Sequence, residues 1–287
     1  MQRSFEKENI TVIEKSSPDY PGDWKNLTGA PEKLYAVGNI SLLQTEKFTI
    51  VGSRKTSVAV AKLTEKTAES LSYAFTLVTG VADGGDRAVI DGALKGSGRV
   101  ICVLPAGFSA IAQTNTALFL QVIKKGLMIS ACPYEESVRN YSYEYRNKLL
   151  ARLSVGGLIV SAGEKSGSLI TAKYLKEQKK KVFAFPYFPT ALDGAGCNGL
   201  IKQGAILTEN AQDILSSLGV AMEEQPKITL NETEEKVMAI VRETGDAHIT
   251  QIAERSGVPP FKLRAVLSGL EVKGVIVAIG GNRYAPV

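Results

Sequence analysis

From residue 47 onward the chain repeats one alternation: a short apolar run rich in β-branched residues, stopped by Gly, Pro or Ser, then a longer amphipathic stretch. KFTIV (47–51) stops at Gly52-Ser53-Arg54, FTLVT (75–79) at Gly80, RVICVL (99–104) at Pro105-Ala106-Gly107 and LMIS (127–130) at Ala131-Cys132-Pro133. GLIVS (157–161) stops at Ala162-Gly163 and VFAF (182–185) at Pro186, with AIL (205–207) as a short seventh run. Runs of this length that are apolar throughout read as strands covered on both faces, and strands separated by helices pair in parallel. Helical spacing fills the intervals near 57–73, 85–96, 115–125, 143–153, 167–179 and 210–217. The expected fold class is α/β: an extended Rossmann-like, doubly wound, mostly parallel sheet over 47–218.

The flanks read differently. Residues 1–46, polar and Pro-containing, read as a lead-in segment and not an independent domain. Residues 219–229 (GVAMEEQPKIT) read as a linker. Over 230–287 three amphipathic stretches, TEEKVMAIVRE, ITQIAERSG and PPFKLRAVLSGLEVKG, precede two short strands around GGN. Three helices and a hairpin describe a small C-terminal winged-helix domain.

Composition removes several function classes. Three Cys without a CxxC pair, and a single His, give neither a disulfide framework nor a metal site. No run is apolar enough to span a membrane, and MQRSFEKENI lacks the apolar centre of a secretory signal, so the expected location is cytoplasmic. There is no Walker GxxxxGK[ST], no GxGxxG after the first strand and no HExxH, and one His cannot complete a Ser-His-Asp arrangement. The expectation is a protein with no catalytic residues and no cofactor. The formal net charge is +5, yet residues 228–287 hold seven Lys/Arg against seven Asp/Glu. The excess therefore lies in the first 227 residues. The neutral winged helix reads as a protein-interaction or dimer element, because a DNA-gripping module is usually basic.

Ligands of open parallel sheets bind outside the carboxyl ends of the strands. Glycine there lets the backbone approach a ligand, and free amides at a helix start favour an anion. The DNA/phosphate-binding candidates are Gly52, Ser53, Arg54 and Lys55, then Gly80, then Arg146, Asn147 and Lys148, then Ser166, Gly167 and Ser168. Each has a plainer reading. Ser166-Gly167-Ser168 can be a helix cap and Arg54 a solvated surface residue. Tyr141, Tyr143 and Tyr145 suit stacking on bases, but at least two are expected to pack as semi-buried aromatics. Lys179–Lys181 read as cations at a helix end, Cys197 as a packing residue and His248 as a surface residue.

Five stretches in this order resemble the DNA-processing protein A (DprA/Smf) family over about residues 11–218: LYAVGN ending at Asn39, IVGSRK (50–55), YRNKLL (145–150), EKSGSLITA (164–172) and GCNGLIKQGA (196–205). The resemblance implies single-stranded DNA binding, homodimerisation and loading of a RecA-type recombinase during DNA uptake. It carries the binding role to Ser53, Arg54, Arg146, Asn147, Ser166, Gly167 and Ser168. In TGVADGGDRAVIDGAL (79–94) the chain departs from the family pattern. Asp83 stands where the family has Arg, and Ile90-Asp91 stand where it has His-Arg. Asp83, Asp86 and Asp91 thus bring acid to an edge where a phosphate wants base. The plainer expectation is that Asp86 bonds locally and that Asp83 and Asp91 are solvated. The alternative function is a Rossmann-like nucleotide-binding enzyme or sensor, in which Asp83 and Asp86 hold a ribose hydroxyl or a metal.

Overall fold

In the computed structural model, which describes residues 5–111, 116–221 and 230–286, the apolar runs pair into one nine-stranded sheet. Its strands are β1 (Thr11–Glu14), β2 (Lys33–Gly38), β3 (Lys47–Gly52), β4 (Thr76–Thr79), β5 (Val100–Leu104), β6 (Leu127–Ser130), β7 (Gly156–Ser161), β8 (Lys181–Ala184) and β9 (Ile206–Leu207). The order is β1-β2-β6-β5-β4-β3-β7-β8-β9. Strands β3 to β9 are parallel to one another, in keeping with their apolar character.

Helices cover both faces: α1 (Gly22–Lys25), α2 (Val58–Ala74), α3 (Gly85–Lys95), α4 (Phe108–Ile111), α5 (Thr116–Lys125), α6 (Ser142–Leu153), α7 (Ser168–Glu177), α8 (Ala195–Lys202) and α9 (Ala211–Leu218). Alternate strand residues divide between two cores. Phe48, Ile50 and Leu77 pack with α2, α3, α5 and α9, while Val51, Val78 and Val103 pack with α1, α6, α7 and α8. Helix α8 escapes propensity arguments because three of its first five residues are Ala or Gly around Cys197 and Asn198. It is held by the buried Cys197 and Leu200, and by a tight approach of Gly196 to the Ala162 carbonyl.

The lead-in is part of this sheet. Strand β2 pairs antiparallel with β6, placing Tyr35 opposite Ser130 and Gly38 opposite Leu127, and β1 adds outside it. Trp24 and Tyr20 are fully buried. The Trp24 indole donates to the Leu149 carbonyl at 3.3 Å and the Tyr20 hydroxyl to the Pro31 carbonyl at 2.6 Å. Burial pushes the Tyr20 hydroxyl up to about 12. The sequence hides these strands because β1 turns only Ile13 inward. Strand β2 depends on β6, far along the chain, and β1 on β2.

The described residues form two compact units, one before and one after 222–229. The expected linker falls mainly on that stretch, outside the described residues. In the second unit, α10 (Glu232–Thr244), β10 (Ala247–His248), α11 (Ile249–Ser256), α12 (Pro260–Val272), β11 (Ile276–Gly280) and β12 (Arg283–Pro286) make a winged helix. Its three strands run in the order β10-β12-β11. Val237, Val241, Ile252, Leu263, Leu267 and Leu270 form its core. Asn231 and Glu234 close a capping box on α10, and Glu234 also takes Lys273 Nζ at 2.6 Å. His248 caps α11, its Nδ1 accepting from Thr250 N–H at 3.3 Å. Among the described residues, no helix is long and apolar enough to cross a membrane.

Candidate nucleic-acid interface

The strand order reverses between β3 and β7: β4, β5 and β6 lie on one side, β8 and β9 on the other. Loops leaving the two strands diverge at such a point and open a crevice beyond their carboxyl ends. A cavity of about 570 Å³ lies there. Gly52, Ser53 and Arg54 line it from the end of β3, and Gly163, Lys165, Ser166, Gly167, Ser168 and Thr171 from the β7–α7 side. Tyr143, Arg146 and Asn147 enter from α6, and Asp86 from the start of α3.

Local bonding fixes this frame. Ser53 N–H donates to both the carbonyl and the hydroxyl of Ser161, each at 2.9 Å, tying the ends of β3 and β7 together. Thr56 Oγ1 donates to the Ser53 carbonyl at 2.7 Å, and Gly85 N–H reaches the same oxygen at 3.0 Å. Glycine is required where α3 meets β3, since a Cβ on Gly52 would lie 2.9 Å from Gly85 Cα. Gly84, at φ +76, turns the chain into α3 where a side chain would run into the Ser53 carbonyl. Asn147 Nδ2 donates to the Gly167 carbonyl at 3.1 Å, so α6 holds the start of α7.

Three cations face the cavity. Arg54 is exposed and lies 5.2 Å from the centre of the Tyr143 ring, with the Arg146 guanidinium 6.0 Å from the same ring. Lys165 is exposed at the rim. Arg146 is 7% exposed and Asp86 2%; Arg146 Nη1 lies 3.7 Å from Asp86 Oδ2 and 3.4 Å from the Val103 carbonyl. Burial raises the Asp86 pKa above its ordinary value, and the Arg146 charge pulls the other way. Burial likewise lowers the Arg146 pKa. Arg146 Nε and Thr171 Oγ1 are buried without a hydrogen-bond partner. Buried polar groups are seldom left so. Two unused groups beside the first turn of α7 give the cavity donor capacity that the chain itself leaves unfilled.

Most of the expected residues therefore meet here: Gly52, Ser53, Arg54, Arg146, Asn147, Ser166, Gly167 and Ser168. Three do not line the cavity. Lys148 turns to the opposite side of α6, where its Nζ donates to the Thr28 carbonyl at 3.2 Å. Lys55 is exposed outside the cavity. Gly80 lies behind the wall, where a side chain would displace Arg146 and Asp86. The α7 cap is Gly167, with no side-chain cap bond, though Ser166 Oγ accepts from Ser168 N–H at 3.3 Å.

In the acidic loop Asp83 is exposed and Asp86 bonds locally to Ala82 N–H, as expected, but Asp86 also meets Arg146 and Asp91 is paired. Asp86 does not repel an anion as an isolated charge, because Arg146 stands against it. Asp91 pairs with Arg87 one turn earlier at 2.8 Å, and Asp83 is exposed. The tyrosines also differ: only Tyr145 packs into the core, its hydroxyl donating to the Gly29 carbonyl at 2.9 Å. Tyr141 is 59% exposed and Tyr143 37%. Lys180 serves α6 and not the helix before it, with Nζ 2.9 Å from the carbonyls of Ala151 and Arg152. Thr171 and Lys165 were not singled out. Thr171 lies three residues after Ser168 and so on the same helical face; Lys165 adjoins Ser166 in the same motif.

Sheet order, switch-point cavity and Gly-rich strand ends define a Rossmann-like α/β protein whose crevice presents cations and backbone amides. The model of the DNA recombination-mediator protein A family matches residues 11–219, and the chain belongs to that family. It is 34% identical over 200 residues to DNA processing protein DprA of Streptococcus pneumoniae, covering 69% of this chain and 70% of that protein. It is 30% identical over 292 residues to protein Smf of Escherichia coli, covering 97% and 78%. It is 34% identical to protein Smf of Synechocystis, but spans only 55% of that protein's length. The solved structure of the Streptococcus pneumoniae protein superposes with a TM-score of 0.68 at 31% identity over 75% of this chain and 76% of that one. That of DNA processing protein A from Helicobacter pylori, described for its single-stranded DNA binding mode, gives 0.66 at 27% identity over 73% and 95%.

Proposed function

We propose that the β3/β7 cavity holds the backbone of single-stranded DNA, and that the protein protects incoming DNA and helps load a RecA-type recombinase on it. The carrying observation is the convergence of Arg54, Arg146 and Lys165 on the first turn of α7 at the switch point. Guanidinium groups grip phosphate through forked, charge-assisted hydrogen bonds, and the start of a helix adds a favourable dipole. Tyr143 beside Arg54 offers a ring on which a base can stack. The solved Helicobacter pylori relative, described as binding single-stranded DNA, supports the same ligand. The work is binding and delivery, carried out as a homodimer in the cytoplasm without a cofactor. Phe188 and Leu192, 76% and 85% exposed between β8 and α8, are apolar surface fit for a protein contact. Light scattering reads the dimer.

Anisotropy titrations of single- and double-stranded oligonucleotides at two salt concentrations test the ligand. Single strands should bind more tightly, with affinity falling steeply as salt rises, because bound Lys and Arg release counterions. Arg54→Ala should weaken binding and lower the salt slope by about one. An Arg54→Ala protein that binds like the parent at every salt concentration would falsify the placement of the strand.

A further inference from the structure

The Arg146–Asp86 pair is an unusual wall for an anion site. A buried carboxylate sits within 3.7 Å of the guanidinium meant to attract a phosphate. When both are ionised the two charges offset one another, and the arginine is flanked by this carboxylate and by the Val103 carbonyl. Asp86 Oδ2 also accepts from Ala82 N–H at 3.3 Å, so the carboxylate is anchored to the β4–α3 loop. The absence of a side chain at Gly80 makes the room the pair occupies.

Resting on the single-stranded DNA function above, we propose that Asp86 is the positioning residue of the cavity, holding Arg146 in its wall, and that binding of a phosphodiester strand is linked to uptake of a proton by Asp86. An incoming phosphate adds negative charge to the cavity and draws on the Arg146 charge that stabilises the ionised carboxylate. Protonation removes the repulsion while leaving Asp86 anchored. Burial raises the affinity of the carboxylate for protons, which favours this step.

The groups facing Asp86 leave few competitors for that proton. Arg146 faces it from α6, and the Ala82 and Gly52 amides and the Thr79 hydroxyl surround it from the strand ends, while Tyr143, Arg54 and Lys165 line the same cavity. The Cys102 thiol, behind it on β5, is pushed further up by burial and by Asp86 itself. The chain's one histidine, His248, belongs to the second unit. Lys180, lowered to about 8 by burial, titrates above the window of interest. Between pH 5 and 7 the first unit thus has no ordinary histidine to respond.

The test is binding of oligo-dT, whose phosphodiesters and bases do not titrate between pH 5 and 7, at constant ionic strength with the full chain. Affinity should rise as pH falls, by a slope approaching about tenfold per pH unit where one proton is taken up. Asp86→Asn, which keeps the shape and an acceptor but cannot ionise, should bind with a flat profile. Titration calorimetry of the parent in buffers of different ionisation enthalpy should report net proton uptake, and this arm needs no variant to fold. A flat parent profile with no proton uptake overturns the inference while leaving the ligand intact. A slope that persists unchanged in folded Asp86→Asn overturns it too. Failure of the parent to bind oligo-dT at any pH sinks the single-stranded DNA function, and this inference falls with it.

Discussion

At the scale of residues, the cavity is made of groups whose bonding is incomplete within the chain. Thr171 Oγ1 is buried with no partner. A hydroxyl in that position costs folding free energy, so replacing it with an isosteric apolar group should not hurt. Thr171→Val is expected to leave stability unchanged or raise it by up to about 1 kcal/mol, read by urea unfolding. If the hydroxyl meets a phosphate, the same variant should weaken oligo-dT binding several-fold. Unaltered binding would remove Thr171 from the interface. The contrast with Arg54 is useful, because Arg54 is exposed and its loss should leave stability alone. Sequence placed Arg54 and Arg146 in the cavity but not Lys55 or Lys148, and it did not show their partners. Arg146 and Asp86 are 60 positions apart, and nothing in either segment announces the other.

At the scale of elements, close backbone approach decides the geometry. Helix α3 meets the end of β3 at Gly85 and Gly52, with no space for a methyl group between them. Gly85→Ala should force α3 off the strand and cost roughly 1–3 kcal/mol by overpacking. It should also weaken DNA binding, since α3 carries Asp86. A variant with parental stability would show that the contact is loose. The lead-in offers a second test. Trp24, the chain's one tryptophan, packs fully buried beneath α6, the helix that carries Arg146. Trp24→Ala should cost about 3–5 kcal/mol, measured by denaturant unfolding followed by circular dichroism. A loss below about 1 kcal/mol, small beside that range, would mean that the lead-in is only loosely docked. The parallel strands and their helices were legible because each carries its own apolar pattern. Strands β1 and β2 and helix α8 were not, because β2 and α8 are stabilised by partners distant in sequence and β1 adds only onto β2.

At the scale of the molecule, the two units separate the chemistry. Every residue lining the switch-point cavity precedes 222, and the second unit carries as many acids as bases over 228–287. Several of its basic groups are also paired internally: Lys273 with Glu234, Arg283 with Asp246, Arg255 with Glu243 and Lys236 with Glu232. A chain ending at residue 221 should therefore bind oligo-dT within about twofold of the parent, with the same salt slope, as expected when the phosphate contacts are all retained. A loss of tenfold or more would put DNA contacts in the winged helix.

By itself the sequence determined the class of fold and pointed to the carboxyl edge of the sheet, where most of the candidate residues line one cavity. Those properties follow from local patterns: apolar runs of strand length, amphipathic spacing and glycines at strand ends. Tertiary structure alone decided that β3 and β7 are the adjacent strands where the order reverses, which turns separate motifs into one cavity. It also decided that Lys148 faces the lead-in while its neighbours Arg146 and Asn147 face the cavity. Above all it turned Asp86 from an apparent liability into the partner of Arg146. Charge sign can be read along a chain, but whether two charges repel a ligand or hold each other depends on distance and burial, and those exist only once the chain has folded.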